Sequence, residues 1–163
     1  MKKLAGKYMK LMRVIHVFCA QIWFGGVCCI FVYGLYCFGN NLEKDAAIKL
    51  IEIIPFLYQK LIMPFSVVCG IQGLIYGIFS SYGFIKHKWV LTKWILAVFV
   101  IICTGAGGIG QVIAVIEKIN SGEIAVLTMS DGQMFFVFMI GQILLLSVMT
   151  ILSVVRPKRK AGA

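Results

Sequence analysis

Four stretches of this chain are each long and apolar enough to cross a lipid bilayer, and nothing else in the sequence constrains its fold as tightly. A helix needs about 20 apolar residues to span the hydrocarbon core. The first stretch covers residues 12–38 and carries no Lys, Arg, Asp or Glu after Arg13. The second covers 61–84, with Met63-Pro64 near its start, where a proline in a first helical turn gives up no needed N–H. The third covers 89–110 and is interrupted only by Lys93. The fourth covers 134–155 and stops against Arg156-Pro157-Lys158-Arg159-Lys160. With 61% hydrophobic and 13% charged residues, the chain has more apolar surface than a soluble domain of its length can hide. The expectation is an all-α membrane protein: one domain over residues 1–163, folded as a four-transmembrane-helix bundle.

The placement of charge orients the bundle. Lys2, Lys3, Lys7, Lys10 and Arg13 precede the first span, Lys86 and Lys88 precede the third with Lys93 just inside it, and Arg156, Lys158, Arg159 and Lys160 follow the fourth. These are twelve of the 16 basic residues. The opposite loops hold the other four and every acid: Glu43, Asp45, Glu52, Glu117, Glu123 and Asp131. The positive-inside rule then puts both termini and residues 85–88 in the cytoplasm, as a multi-pass protein of the cell's inner (plasma) membrane. The net charge of +10 reads as this topology signal and as contact with anionic inner-leaflet lipids, not as a nucleic-acid footprint. The basic start and apolar run resemble a signal peptide, but the run is too long and lacks a small-residue cleavage pattern, so it reads as a retained first helix.

Between the spans lie two polar segments, 39–60 and 111–133. The first contains an amphipathic stretch at 45–58. Both segments suit short interfacial helices or a hairpin; the second shows no clear amphipathic period after Gly122, and its Ile124-Ala125-Val126-Leu127 also suits a strand. The six cysteines, Cys19, Cys28, Cys29, Cys37, Cys69 and Cys103, all fall within spans, and none forms a Cys-x-x-Cys pair. They read as small packing residues. No nucleotide-binding loop, Ser/His/Asp triad or paired-carboxylate site is present, which argues against hydrolysis and phosphoryl transfer.

Ionisable residues inside a membrane are functional suspects by default. Three qualify: His16, His87 and Lys93, all in the cytoplasmic third. Two imidazoles on separate helices at similar depth are what six-coordinate haem b requires, so His16 and His87 are the candidate iron ligands. Trp23, Lys93 and Trp94 are the candidate cofactor-binding residues, with the Lys93 ammonium suited to a propionate. His16, Ala20, Trp23 and Val27 share one helical face. His87 and Lys93 are six residues apart, about 240° round a regular helix, so they cannot both face one point. Plainer readings stand beside these. Lys86-His87-Lys88 fits a solvated interfacial cluster, Trp89 and Trp94 fit an aromatic belt, and Lys93 fits a snorkelling side chain. Gln21, Gln72 and Gln142 link helices by hydrogen bonds or meet a polar head such as a quinone carbonyl. Gly73-x-x-x-Gly77 matches a close-packing motif, and Gly105-Ala106-Gly107-Gly108 marks close approach, a kink or a helix end.

Val14-Ile15-His16 followed by Ile22-Trp23-Phe24-Gly25-Gly26 resembles the first helix of the copper-resistance D-type membrane domain and of the bacterial membrane-bound protoporphyrinogen oxidase. That resemblance implies a helical bundle and, from the oxidase, binding of haem b or porphyrin. His16 would match the oxidase's first-helix histidine and Lys93 its third-helix lysine, while His87 has no counterpart. Residues 73–96 with the ending Leu152-Ser153-Val154-Val155-Arg156-Pro157 are similar to an uncharacterised family of small bacterial four-helix membrane proteins. The resulting expectation is a haem b-binding membrane protein acting in electron transfer or haem and porphyrin handling, with a redox partner protein and room for homo-oligomerisation. The alternatives are a transporter, a quinone- or lipid-binding bundle, or the membrane anchor of a larger complex.

Overall fold

The computed structural model describes residues 6–79 and 88–154, and almost all of them are helical. Helix α1 (Gly6–Gly39) leads through a turn at Asn41, whose φ of 50° is positive, into a two-residue strand β1 (Leu42–Glu43). Helices α2 (Lys44–Ile51) and α3 (Ile53–Leu57), a π-helical turn (Tyr58–Ile62) and α4 (Met63–Phe79) follow as one nearly unbroken rod. Helix α5 (Lys88–Ile102), a second π-helical segment (Cys103–Ile109) and α6 (Gly110–Asn120) form another. Strand β2 (Val126–Leu127), a 3₁₀ turn (Met129–Gly132) and α7 (Gln133–Val154) complete the chain.

Four helical runs are long and apolar enough to cross a membrane: Tyr8–Gly39, Lys44–Tyr76, Val90–Asn120 and Met129–Val154. The second begins well before residue 61, and the third continues past residue 110. At 1.5 Å per residue a 33-residue run is roughly 50 Å long, well beyond a hydrocarbon core of about 30 Å. The extra length is amphipathic. Ala47, Ile51, Ile54, Tyr58 and Ile62 recur every three or four residues and are all buried, as are Val112, Val115 and Ile119 on α6. The 45–58 and 111–120 segments are therefore helix extensions packed on one another, with α2 against α6.

Proline explains where the second rod bends. Pro55 lacks the N–H that would reach the Ile51 carbonyl, and the regular helix breaks at Glu52. Pro64 stands well inside the rod rather than in a first turn, since the helix begins at Lys44. It follows immediately on the π-helical turn, whose wider coil accommodates the ring without a clash.

The bundle has two unlike ends. At one, the start of α1 meets the end of α4, where Tyr76 Oη donates to the Met9 carbonyl at 3.2 Å, and the start of α5 meets the end of α7, where Lys93 Nζ donates to Ser153 Oγ at 2.7 Å. This is the basic end. At the acidic end the helix extensions are tied down. Leu42 pairs with Leu127 and Glu43 with Val126 in an antiparallel bridge. The strand expected around 124–127 is thus real, though its partner precedes the second helix rather than lying in a local hairpin. Thr128 and Asp131 form a reciprocal capping box before α7, with Asp131 Oδ2 accepting from the Thr128 amide at 2.8 Å and from its hydroxyl at 2.7 Å. Beneath it, Phe38 stacks on Phe135 at 5.7 Å and meets Phe136 edge-on at 5.7 Å.

Glycine sets two of the tight contacts. A Cβ added to Gly108 would lie 2.5 Å from Tyr58 Oη, and one added to Gly132 would lie 2.6 Å from Phe38 Cδ1. The Gly105–Gly108 run is thus a point of close approach inside a continuing helix, not a helix end. Gly73 is different: its added Cβ would meet only the Trp94 ring, at 3.6 Å. Gly108→Ala is expected to destabilise the bundle by about 1–3 kcal/mol through overpacking. Gly25→Ala, where nothing lies within 4 Å, is expected to be neutral to slightly stabilising. Unfolding midpoints in detergent check both.

Candidate functional site

Two polar clusters lie inside the bundle, one toward each end. The first is closed. Tyr58 and Gln142 are 1% and 0% exposed, and Tyr58 Oη donates toward Gln142 Oε1 at 3.0 Å and contacts Met139 Sδ at 2.8 Å. Gln142 Nε2 donates to Thr104 Oγ1 at 2.7 Å, and Thr104 Oγ1 donates to the Val100 carbonyl at 2.9 Å. Both π-helical segments contribute a member: Tyr58 opens one, and Thr104 lies in the other. Each polar side-chain atom in this chain of bonds has at least one partner, so the cluster serves to join helices. Gln142 thus acts as the helix-linking amide expected from its place in the fourth span. Tyr58, Thr104 and Met139 are not evident as site residues in the sequence, although the Ala47–Ile51–Ile54–Tyr58–Ile62 spacing marks the buried face on which Tyr58 lies.

The second cluster, toward the basic end, is unfinished. His16 is half-buried, and its Nδ1 is buried without a hydrogen-bond partner. One face of α4 brackets it. Cys69 Sγ points to the His16 carbonyl oxygen at 3.8 Å, the Gln72 side chain adjoins the imidazole, and the Tyr76 ring stands edge-on to it at 6.4 Å and 83°. Gln72 is 6% exposed, and its Oε1 also lacks a partner. From the other side, Lys93 on α5 lies near enough for its charge to act on the imidazole. Trp94 is half-buried and lies over Gly73 on α4. The structure therefore gathers His16, Lys93 and Trp94 around the α1–α4–α5 junction. Trp23 is on the same face of α1 as His16, about 10 Å further along at 1.5 Å per residue, packed on the core with its buried indole N–H unpartnered. His87, the other expected iron ligand, lies outside the described residues. Gln21 is exposed on α1 and takes no part.

Helix α1 packs on α4 and α7, and α5 packs on α7, whereas α4 and α5 are not a closely packed pair among the described residues. The His16 cluster sits beside this seam. All six cysteines are free thiols. Among the described residues no three His, Cys, Asp or Glu side chains gather as metal ligands. A haem asks for less, because the porphyrin supplies four nitrogens and the protein one or two. One half-buried imidazole on α1 fits that smaller requirement.

The chain matches no family model, no curated protein and no solved structure. The geometry of the two clusters is therefore the basis for any functional reading.

The closed network yields a double-mutant test. Gln142→Leu and Thr104→Val are each expected to destabilise the bundle, with a favourable coupling between them of about 0.6–1.7 kcal/mol, the range for interhelical hydrogen bonds in lipid. Unfolding of the two single variants and the double variant in detergent measures it.

Proposed function

We propose that this is a multi-pass plasma-membrane protein, both termini cytoplasmic, that binds a tetrapyrrole, haem b or its porphyrin precursor, against His16 at the seam between α4 and α5. The observation that carries this reading is the gathering of the His16 imidazole, Lys93 and Trp94 at one junction, since an ionisable side chain within a membrane helix is costly and is retained where it serves a ligand. Lys93 supplies a cation for a propionate, and Trp94 offers an aromatic wall across Gly73. A bound haem would supply one-electron transfer; the chain's own contribution is to hold it by one histidine, or two if His87 joins, and to keep water from it.

The cytoplasmic assignment follows from charge. The basic end holds Lys10, Arg13 and Lys93, and the acidic end holds Glu43, Asp45, Glu52, Glu117, Glu123 and Asp131. In intact cells a membrane-impermeant maleimide is expected to label Lys118→Cys and to spare Lys10→Cys. The reverse pattern would put the His16 cluster near the outer leaflet and remove the shared-depth argument for His87.

A second reading has its own support. Gln72 Oε1 and the Trp23 N–H are an acceptor and a donor, both buried and unpartnered, and they suit the carbonyl and hydroxyl of a quinone or quinol head. Optical titration separates the two. Hemin added to the detergent-purified protein is expected to give a Soret band that saturates, and His16→Ala is expected to weaken binding by at least about tenfold. Titration curves that coincide for wild type and His16→Ala, or no Soret band at all, would rule out the tetrapyrrole and favour the quinone.

A further inference from the structure

The two unpartnered atoms at His16 and Gln72 are complementary. An amide oxygen only accepts hydrogen bonds, whereas an imidazole nitrogen donates or accepts according to which tautomer is present. The side chains already adjoin across the α1–α4 contact, and that contact is fixed on both sides of the pair. Cys69, one turn before Gln72, reaches the His16 carbonyl, and Tyr76, one turn after it, lies against the imidazole with its hydroxyl committed to the Met9 carbonyl. Gln72 is 6% exposed, so bulk water does not compete for its oxygen. An Nδ1–H···Oε1 bond between them would satisfy both atoms at once. The opposite tautomer would set two lone pairs against each other in a medium of low polarity.

We propose that Gln72 is a positioning residue that accepts the Nδ1 proton of His16 at its Oε1, fixing the imidazole as the Nδ1–H tautomer and leaving the Nε2 lone pair free to bind a ligand. This is the tautomer that a neutral histidine in water populates less, so the helix contact imposes a state that the side chain alone does not prefer. In a metal site, such a hydrogen bond also raises the basicity of the ligating nitrogen. The tautomer is a property of the protein without any cofactor, while its effect on bound iron rests on the tetrapyrrole reading.

Nitrogen NMR of ¹⁵N-histidine-labelled protein, free of haem and at a pH well above the ordinary imidazole value, reads the tautomer directly. The chain has two histidines, so His87→Ala leaves His16 as the one signal. In that background the Nδ1–H pattern is expected with Gln72 in place and with Gln72→Glu, which keeps an acceptor. Gln72→Leu, similar in size but without an acceptor, is expected to move the population toward Nε2–H. An Nε2–H pattern with Gln72 intact, or an Nδ1–H pattern that survives Gln72→Leu, overturns the proposal. If Gln72→Leu does not fold, Gln72→Glu decides: a stronger acceptor must shift the Nδ1 resonance, and an unchanged resonance overturns the proposal. In hemin-loaded protein, the reduction potential is expected to fall with Gln72→Glu and rise with Gln72→Leu. Failure to bind hemin would remove the tetrapyrrole reading alone, because the tautomer is measured without it.

Discussion

Hydrocarbon offers a polar side chain no water to fall back on, and the Gln142 amide is where this chain meets that constraint most fully. Its oxygen accepts from Tyr58 and its nitrogen donates to Thr104, so one side chain on α7 is bonded to two other membrane-crossing runs. Apolar contact between helices has no water-driven advantage in lipid, where the tails are as apolar as leucine. Hydrogen bonds and close steric fit must supply specificity instead. The fit is visible at Gly108, which leaves room for the Tyr58 hydroxyl, and in the two π-helical segments that bring Tyr58 and Thr104 to the same level.

In the amphipathic helix extensions a different force takes over. The acidic-end extensions α2 and α6 have charged outer faces and apolar inner faces, and they bury Ala47, Ile51, Val112, Val115 and Ile119. There the ordinary hydrophobic effect applies, at about 25 cal/mol per Å² of apolar surface buried. The β1–β2 bridge and the aromatic cluster of Phe38, Phe135 and Phe136 finish a cap in which most of the fully buried side chains lie. Among the described residues the basic end has fewer such side chains, and α4 and α5 are not closely packed there. A bundle locked at one end and looser at the other keeps its helix register while leaving a place where a ligand can be held between helices.

The spans and the segregation of charge were legible because both are properties of composition along the chain. Twenty apolar residues in a row have few other uses, and the acids all fall in two segments. The helix extensions were harder to see, since Pro55 and Pro64 look like boundaries and the acidic residues look like loop. The regular spacing from Ala47 to Ile62 was the signal that helix continued through them. Pairing of Leu42–Glu43 with Val126–Leu127 leaves no local mark, because neither dipeptide alone is a strand signal and the two are far apart in the chain. At the candidate site, His16, Lys93 and Trp94 could be named from the rarity of polar residues in the spans. Which polar groups are partnered is a matter of geometry: Gln72 and Gln142 are the same residue type in apolar helices, yet Gln142 is bonded at both its oxygen and its nitrogen while the Gln72 oxygen has no partner.

That difference between the two glutamines separates structure from function in this bundle. An amide bonded at both its oxygen and its nitrogen, and wholly buried, is committed to joining helices, and changing it alters stability. An amide with a free oxygen beside an imidazole with a free nitrogen retains bonding capacity inside the membrane, where unsatisfied polar atoms are penalised most. Both clusters draw on the rod that ends in α4: Tyr58 opens its π-helical turn, and Cys69, Gln72 and Tyr76 follow on α4 itself. Rotation of α4 by one residue, about 100°, would carry Gln72 away from His16. A bond that holds the rod to α7 at Tyr58 therefore also opposes the turn that would part Gln72 from His16.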